Sequence, residues 1–352
     1  MSAAFNEEKQ GEEMQGSAKR LSPKANIIFS LIAAVSIIGG AAMASAGPAA
    51  FAAAIALWAF ASVACGMIFS FGSAAARILP AGCGAVAVLF GAEGVILAVL
   101  AISCGVALAF AASSRMRRFE TVMWMTVAVC IVFGCVFGAA VRESKGDISR
   151  ESVEEYISDA SQSVCDEYTS AMETTREALE ILGSLTPEAE ERLSVLASPD
   201  MASALAKSFI ISIPAYFAAI VTVLCYGISS IFLLAADKTG NKLYFMRPFS
   251  VPLFMAHTFI ICYFASIFLD AQTAVGLLVY YASVLFTPCF AYVGAKSLIA
   301  MIRSGAPKFI RVATVLICIV MLPLFTYLIT LLAFIGAYVI VRAASLRRIL
   351  KK

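Results

Sequence analysis

The sequence predicts an all-α, polytopic transmembrane helix bundle of eight to ten spans with an extracytoplasmic helical insert. Three observations carry this expectation. Of the 352 residues, 61% are hydrophobic and 14% charged, where a soluble domain has about 45–50% and about 25%. Mean hydropathy is +0.90, more apolar surface than a water-soluble core can hide. Charge is also segregated. Residues 142–206 carry 15 acidic and 5 basic side chains, and the rest of the chain carries 8 and 21. Basic residues collect on the cytoplasmic side of membrane proteins, so the net charge of +3 matters less than its distribution.

The elements follow in order. Residues 1–25 mix Glu7, Glu8, Glu12 and Glu13 with Lys9, Lys19, Arg20 and Lys24 without apolar periodicity, and read as a disordered or loosely helical cytoplasmic tail. Apolar runs then cover 26–46, 49–71, 83–113, 120–141, 208–235, 249–269, 274–295 and 312–341. Each can cross a hydrocarbon core of about 30 Å at ~1.5 Å per residue. The first ends in Ala44-Ser45-Ala46, the pattern of a signal-peptide cleavage site. The preceding segment is long and carries four glutamates, so the run reads as a first span.

Two runs are over-long. If 83–113 and 312–341 each cross twice, the N-tail, Arg77, the Arg115/Arg117/Arg118 triplet, the Lys238/Lys242/Arg247 group, the Lys296–Arg311 group and the tail from Arg342 all lie inside. Gly91-Ala92-Glu93-Gly94 and Pro323 are the breakers for such hairpins. Single crossings would give eight spans and place some basic clusters outside. Both termini are then cytoplasmic and the membrane is the cell membrane.

The acidic insert divides the chain into membrane halves at 26–141 and 207–342, followed by a basic tail at 343–352. Within it, Ser152-Val153-Glu154-Glu155 has the pattern of a capping box. Val153, Tyr156, Ile157, Ala160, Val164, Tyr168, Met172, Leu179 and Leu182 then recur at helical spacing. Gly183-Ser184 stops that helix, and Thr186-Pro187-Glu188 starts a second. Ser198-Pro199-Asp200 breaks the second before the next span. The insert is small for a self-sufficient core, so its apolar stripe is expected to need a partner surface.

Pro214 heads the span after the insert, and Arg247-Pro248-Phe249-Ser250-Val251-Pro252 opens the next. Thr287-Pro288 and Gly294 fall in the one after that, and Gly336 and Arg342 precede the basic tail. With the insert before the Pro214 span, this layout resembles the YybS-like family of bacterial polytopic membrane proteins, to which no reaction is assigned. The resemblance implies helices laid out like the substrate-binding subunits of energy-coupling-factor transporters, and hence a role in transport. In those transporters similar alanine pairs dock the binding subunit on its transmembrane partner; here Ala49/Ala53 and Ala50/Ala54 lie in a stretch rich in alanine throughout and read as internal packing.

Ionisable groups inside a membrane are costly and so are functional candidates. His257, Glu93 and Asp270 are the candidate substrate-binding residues. His257 is the only histidine, so it belongs to no multi-histidine metal site. Glu93 becomes an ordinary wet cap if 83–113 is a hairpin, and Asp270 closes a span at the interface. Gly134-x-x-x-Gly138 permits close helix approach and is expected to pack internally. Nine cysteines lie in apolar runs as small hydrophobes, and Cys165 alone sits in the polar insert. No phosphate-binding loop, nucleophile elbow or zinc-protease motif is present. The expectation is therefore a non-enzymatic protein without metal or cofactor and without nucleic-acid partner. It would be a small-solute transport or binding component in the lipid bilayer. The alternative is an envelope interaction protein whose outer insert engages another membrane or envelope protein.

Overall fold

The computed structural model describes residues 19–46, 50–184, 186–269, 273–303 and 325–349. They fold as α1 (Pro23–Ser45), α2 (Phe51–Phe71), α3 (Ala74–Ala87), α4 (Gly91–Ser113), α5 (Arg118–Lys145), α6 (Arg150–Ile181), α7 (Pro187–Leu196), α8 (Pro199–Lys238), α9 (Leu253–Phe268), α10 (Ala274–Arg303) and α11 (Phe325–Ile349). No strand occurs among the described residues. Among the described residues, seven helical stretches are long and apolar enough to cross a membrane, and α9, at 16 residues, is a shorter apolar helix. The protein is an all-α polytopic membrane bundle.

The helices form two compact units. One takes residues up to Val132 together with those from Ala218 onward, and the other is Phe133–Phe217.

In the first unit, α1 begins inside the stretch expected to be a tail, at a serine cap. Ser22 accepts from the Ala25 amide, and Pro23 fills the first helical position, where no amide is needed. The residues before it are not a loose tail from Lys19 onward. The Lys19 amide donates to Asn241 Oδ1 at 2.9 Å, and the Leu21 amide to the Phe71 carbonyl at 2.9 Å. These bonds place the start of α1, the end of α2 and the end of α8 at one end of the unit. Residues 1–18 lie outside the described set.

The run expected at 83–113 starts earlier. Ser73 caps α3, so Arg77 and Pro80 lie inside a helix instead of a loop. The break comes at Val88–Phe90 and Gly91, whose φ of 81° favours glycine. A Cβ on Gly84 would meet Ile102 and one on Gly94 would meet the Ala87 carbonyl. Such pairing is that of a hairpin, with α3 leaving the end where α1 starts and α4 returning to it. On α2 and α4, Gly66 faces Leu108 and Gly105 faces Cys65, which brings the two backbones close together.

The second hairpin cannot be followed in the same way. Pro323 lies outside the described residues. From Phe325 the chain is one helix to Ile349, which carries Arg342 and continues into the basic residues after it. A methyl on Gly294 would strike the Leu332 carbonyl, and one on Gly336 the Phe290 carbonyl. This reciprocal glycine contact lets α10 and α11 touch backbone to backbone. Phe259, Phe290, Ala333 and Ala337 form the adjoining core, which Phe119 of α5 joins.

In the second unit, α6 starts at Ser149 and not at the expected Ser152. Ser149 Oγ accepts from the Ser152 amide, and Ser152 in turn donates to Asp147. The later signals hold. Gly183 takes a φ of 62° after α6, and Thr186 accepts from the Ala189 amide at the head of α7. Ser198-Pro199 separates α7 from α8, but α8 then runs unbroken for 40 residues through Pro214. Neither α6 nor α7 has a buried residue. Lys145 bridges Glu155 and Asp159 at 2.7 Å each, and Arg176 pairs with Glu190 at 2.6 Å.

Candidate functional site

Lipid offers no hydrogen bonds, so polar side chains in a membrane bundle must find one another. In the first unit they do so along one face of α8. Thr222, Cys225, Tyr226, Ser229 and Ser230 recur at steps of three and four residues, which puts them on a single stripe. Thr222 meets Thr126 of α5, hydroxyl to hydroxyl, at 3.3 Å. Cys225 meets the Cys104 thiol of α4, which also reaches Ser62 of α2. Ser62, Thr126, Thr222 and Ser229 are all buried. The hydroxyls also return a bond to their own helices, as with Ser62 to the Trp58 carbonyl at 2.8 Å, so each is satisfied without water.

At the end of this stripe stands Arg118, the first residue of α5 and only 9% exposed. Its Nε donates to Ser229 Oγ at 3.2 Å, and its Nη2 donates to Ser230 Oγ and to the Tyr226 carbonyl. The guanidinium carbon lies 4.1 Å above the Tyr226 ring, a cation–π distance. Tyr226, Phe249 and Tyr292 form a mutually packed aromatic group, with ring centres 4.7 to 5.3 Å apart. The strand-like approach to α9 supplies Phe249, and α10 supplies Tyr292. Rings from two further segments therefore pack on the tyrosine that faces the cation.

The residues singled out from sequence lie elsewhere. His257 is on an exposed face of α9, its Nδ1 3.1 Å from the Leu253 carbonyl of its own helix. Glu93 is exposed in the first turn of α4, where a carboxylate opposes the helix dipole. Asp270 lies outside the described residues. Gly134 was expected to pack internally; nothing lies within 4 Å of its would-be Cβ. Of the alanine pairs, Ala54 is buried and Ala53 exposed, while Ala49 is outside the described residues.

Arg118 was read only as one of three loop cations. Its signal was positional. Arg118, Val122, Met125 and Val129 fall at helical spacing, and all four are buried, so the buried face of α5 begins ahead of the apolar run at 120–141.

An open groove of about 360 Å³ between α4 and α5 is a different feature. Ile102, Val106, Phe110 and Trp124 line it with Ser103 as the one hydroxyl-bearing residue. Its aromatic rims are exposed, as suits a surface facing acyl chains. Among the described residues no cluster of three or more histidine, cysteine or acidic side chains could hold a metal. No family model, no curated protein and no solved structure matches this chain.

Proposed function

We propose that this protein is a non-enzymatic, small-solute binding or transport component of the cell membrane. The observation that carries the reading is the buried polar stripe of α8, with hydroxyls, thiols and one arginine supplied to it by neighbouring helices. A span that served only as an anchor would pack apolar faces throughout, because each polar group in lipid has to be compensated. The resemblance to the YybS-like family and to energy-coupling-factor binding subunits fits the same reading. In this orientation the basic end of the first unit faces the cytoplasm.

The test is mass spectrometry of small molecules that co-purify with the protein in mild detergent. One solute at near-stoichiometric amount is the expected result. Lipid alone would overturn the reading. It would favour the second one, an envelope interaction protein whose insert is the working part. That alternative has its own observation: Ile181 and Leu182, at the end of α6, are 85% and 74% exposed.

A further inference from the structure

We propose that Arg118 is the recognition point for an oxyanion, a carboxylate or phosphate group, reached from the end of the first unit where basic side chains gather. The inference rests on the solute-binding reading above and names the chemical class of the ligand.

The charge balance is the first argument. Arg150, Arg176 and Arg247 are well exposed, and each pairs with a carboxylate. Arg118 is buried and has no carboxylate partner among the described residues. This is the reverse of what stability alone selects, because a buried cation needs a counter-charge far more than an exposed one does. Nearby acids are already engaged. Glu120 accepts from the Arg117 amide, and Asp237 takes both contacts from Arg247.

Geometry is the second argument. A guanidinium has five N–H donors in one plane. Nε and Nη2 are held by Ser229, Ser230 and the Tyr226 carbonyl, and the Tyr226 ring holds the face. Both N–H groups of Nη1 bond to nothing among the described residues. The fork is thus held at two nitrogens and one face with Nη1 left unbonded, the preorganised state in which an arginine binds an oxyanion at least entropic cost. Neutral hydroxyls brace it without neutralising it, so its charge stays available. Phe249 and Tyr292 wall the same group with rings, which suits an organic portion attached to the anion.

The third argument is approach. Arg115 and Arg117 are exposed just before Arg118. Lys238 and Lys242 follow the α8 stripe, and the Lys19–Asn241 bond keeps the N-terminal basic residues at that end. A surface of one sign raises the local concentration of the opposite ion. A free solute and an anionic lipid headgroup present the same oxyanion, and the experiment separates them.

Full-length protein in a neutral detergent is titrated with inorganic phosphate, with acetate, and with short-chain phosphatidylglycerol. Phosphatidylcholine serves as the zwitterionic control, and the readout is the unfolding temperature. A saturable rise with at least one anion is expected, weakened tenfold or more in Arg118→Gln. Arg118→Lys keeps the charge without the fork and should weaken it several-fold. A response to phosphate or acetate assigns a soluble anion, and a response to phosphatidylglycerol alone assigns a headgroup; either supports the site. If Arg118→Gln does not fold, Ser230→Ala, which removes one brace and no charge, should still weaken binding several-fold. No saturable response in the wild type, or an equal one in Arg118→Gln and Ser230→Ala, overturns the proposal. In that event a neutral solute that still co-purifies leaves the solute-binding reading standing, and the absence of any solute removes both.

Discussion

Arg115 has a φ of 54°, the only left-handed backbone among the described residues that is not a glycine. It stands where α4 ends. The Ser114 amide returns to the Phe110 carbonyl and the Met116 amide to the Ala111 carbonyl, at 2.8 and 3.0 Å, a C-terminal lock that places the next residue in that conformation. Glycine would enter it freely, whereas an L side chain gives up roughly 1–2 kcal/mol. Arg115→Gly should therefore raise stability by about 1 kcal/mol, measured by unfolding in detergent. A fall would show that the arginine side chain returns more than its backbone costs. The strained residue lies three positions before Arg118, so the turn that carries the strain also delivers the buried guanidinium. Neither role was visible in the basic triplet, because three arginines within four residues look alike by charge. Only the spacing to Val122, Met125 and Val129 separates the third from the others.

Helix boundaries were legible where one side chain does the capping. Thr186-Pro187 and Gly183 mark ends that the structure keeps. The start of α6 was misplaced by three residues because two serines compete for the role. Asp147 decides between them, since it accepts from Ser152 and from the Ser149 amide. The Ser152 hydroxyl, and then the Ser149 amide, holds the Asp147 carboxyl below the usual carboxylate range. A carboxyl whose pKa is depressed by folding stabilises the helix start above its unfolded pKa, and that support is lost as pH falls through the folded value. The protection of the amides of Ser149 to Val153, taken relative to the intrinsic exchange rate at each pH, should accordingly fall on acidification in the wild type, and Asp147→Asn should show the lowered protection already at neutral pH. Equal rates in the two proteins at neutral pH would rule the cap out. A sharper contrast is available at the helix crossings. Gly294→Ala drives a methyl into the backbone of α11, which cannot move aside, and should cost about 1–3 kcal/mol. Gly82→Ala in α3 meets nothing within 4 Å and should gain about 0.4–1 kcal/mol by restricting the unfolded chain. A Gly294→Ala protein as stable as the wild type would mean that α10 and α11 do not cross at Gly294.

At the scale of the whole molecule, membrane residence and helicity were plain from composition, because lipid-facing helices are apolar on every side. The same uniformity hid the packing, since a span without a polar face gives no phase from which to read its neighbours. Hydrogen bonds supply that phase. Leu21 to Phe71, Lys19 to Asn241 and Arg118 to Ser229 put the start of α1, the end of α2, the start of α5 and the end of α8 at one end of the first unit. The hairpin of α3 and α4 also begins and ends there, so Arg20, Lys24, Arg77, Arg115, Arg117, Lys238 and Lys242 share that end. A single crossing by 74–113 would have divided them. Basic residues so gathered are expected in the cytoplasm, and the acidic insert of residues 142–206 outside. Native cysteines test this without added reporters. Cys165 is half-buried in α6, and the other nine cysteines lie in apolar segments of the sequence. A membrane-impermeant maleimide added to intact cells should label one thiol per chain, and Cys165→Ser should abolish the signal. Labelling that appears only in inverted vesicles, and still depends on Cys165, would reverse the orientation and move the basic end, with Arg118, to the outside.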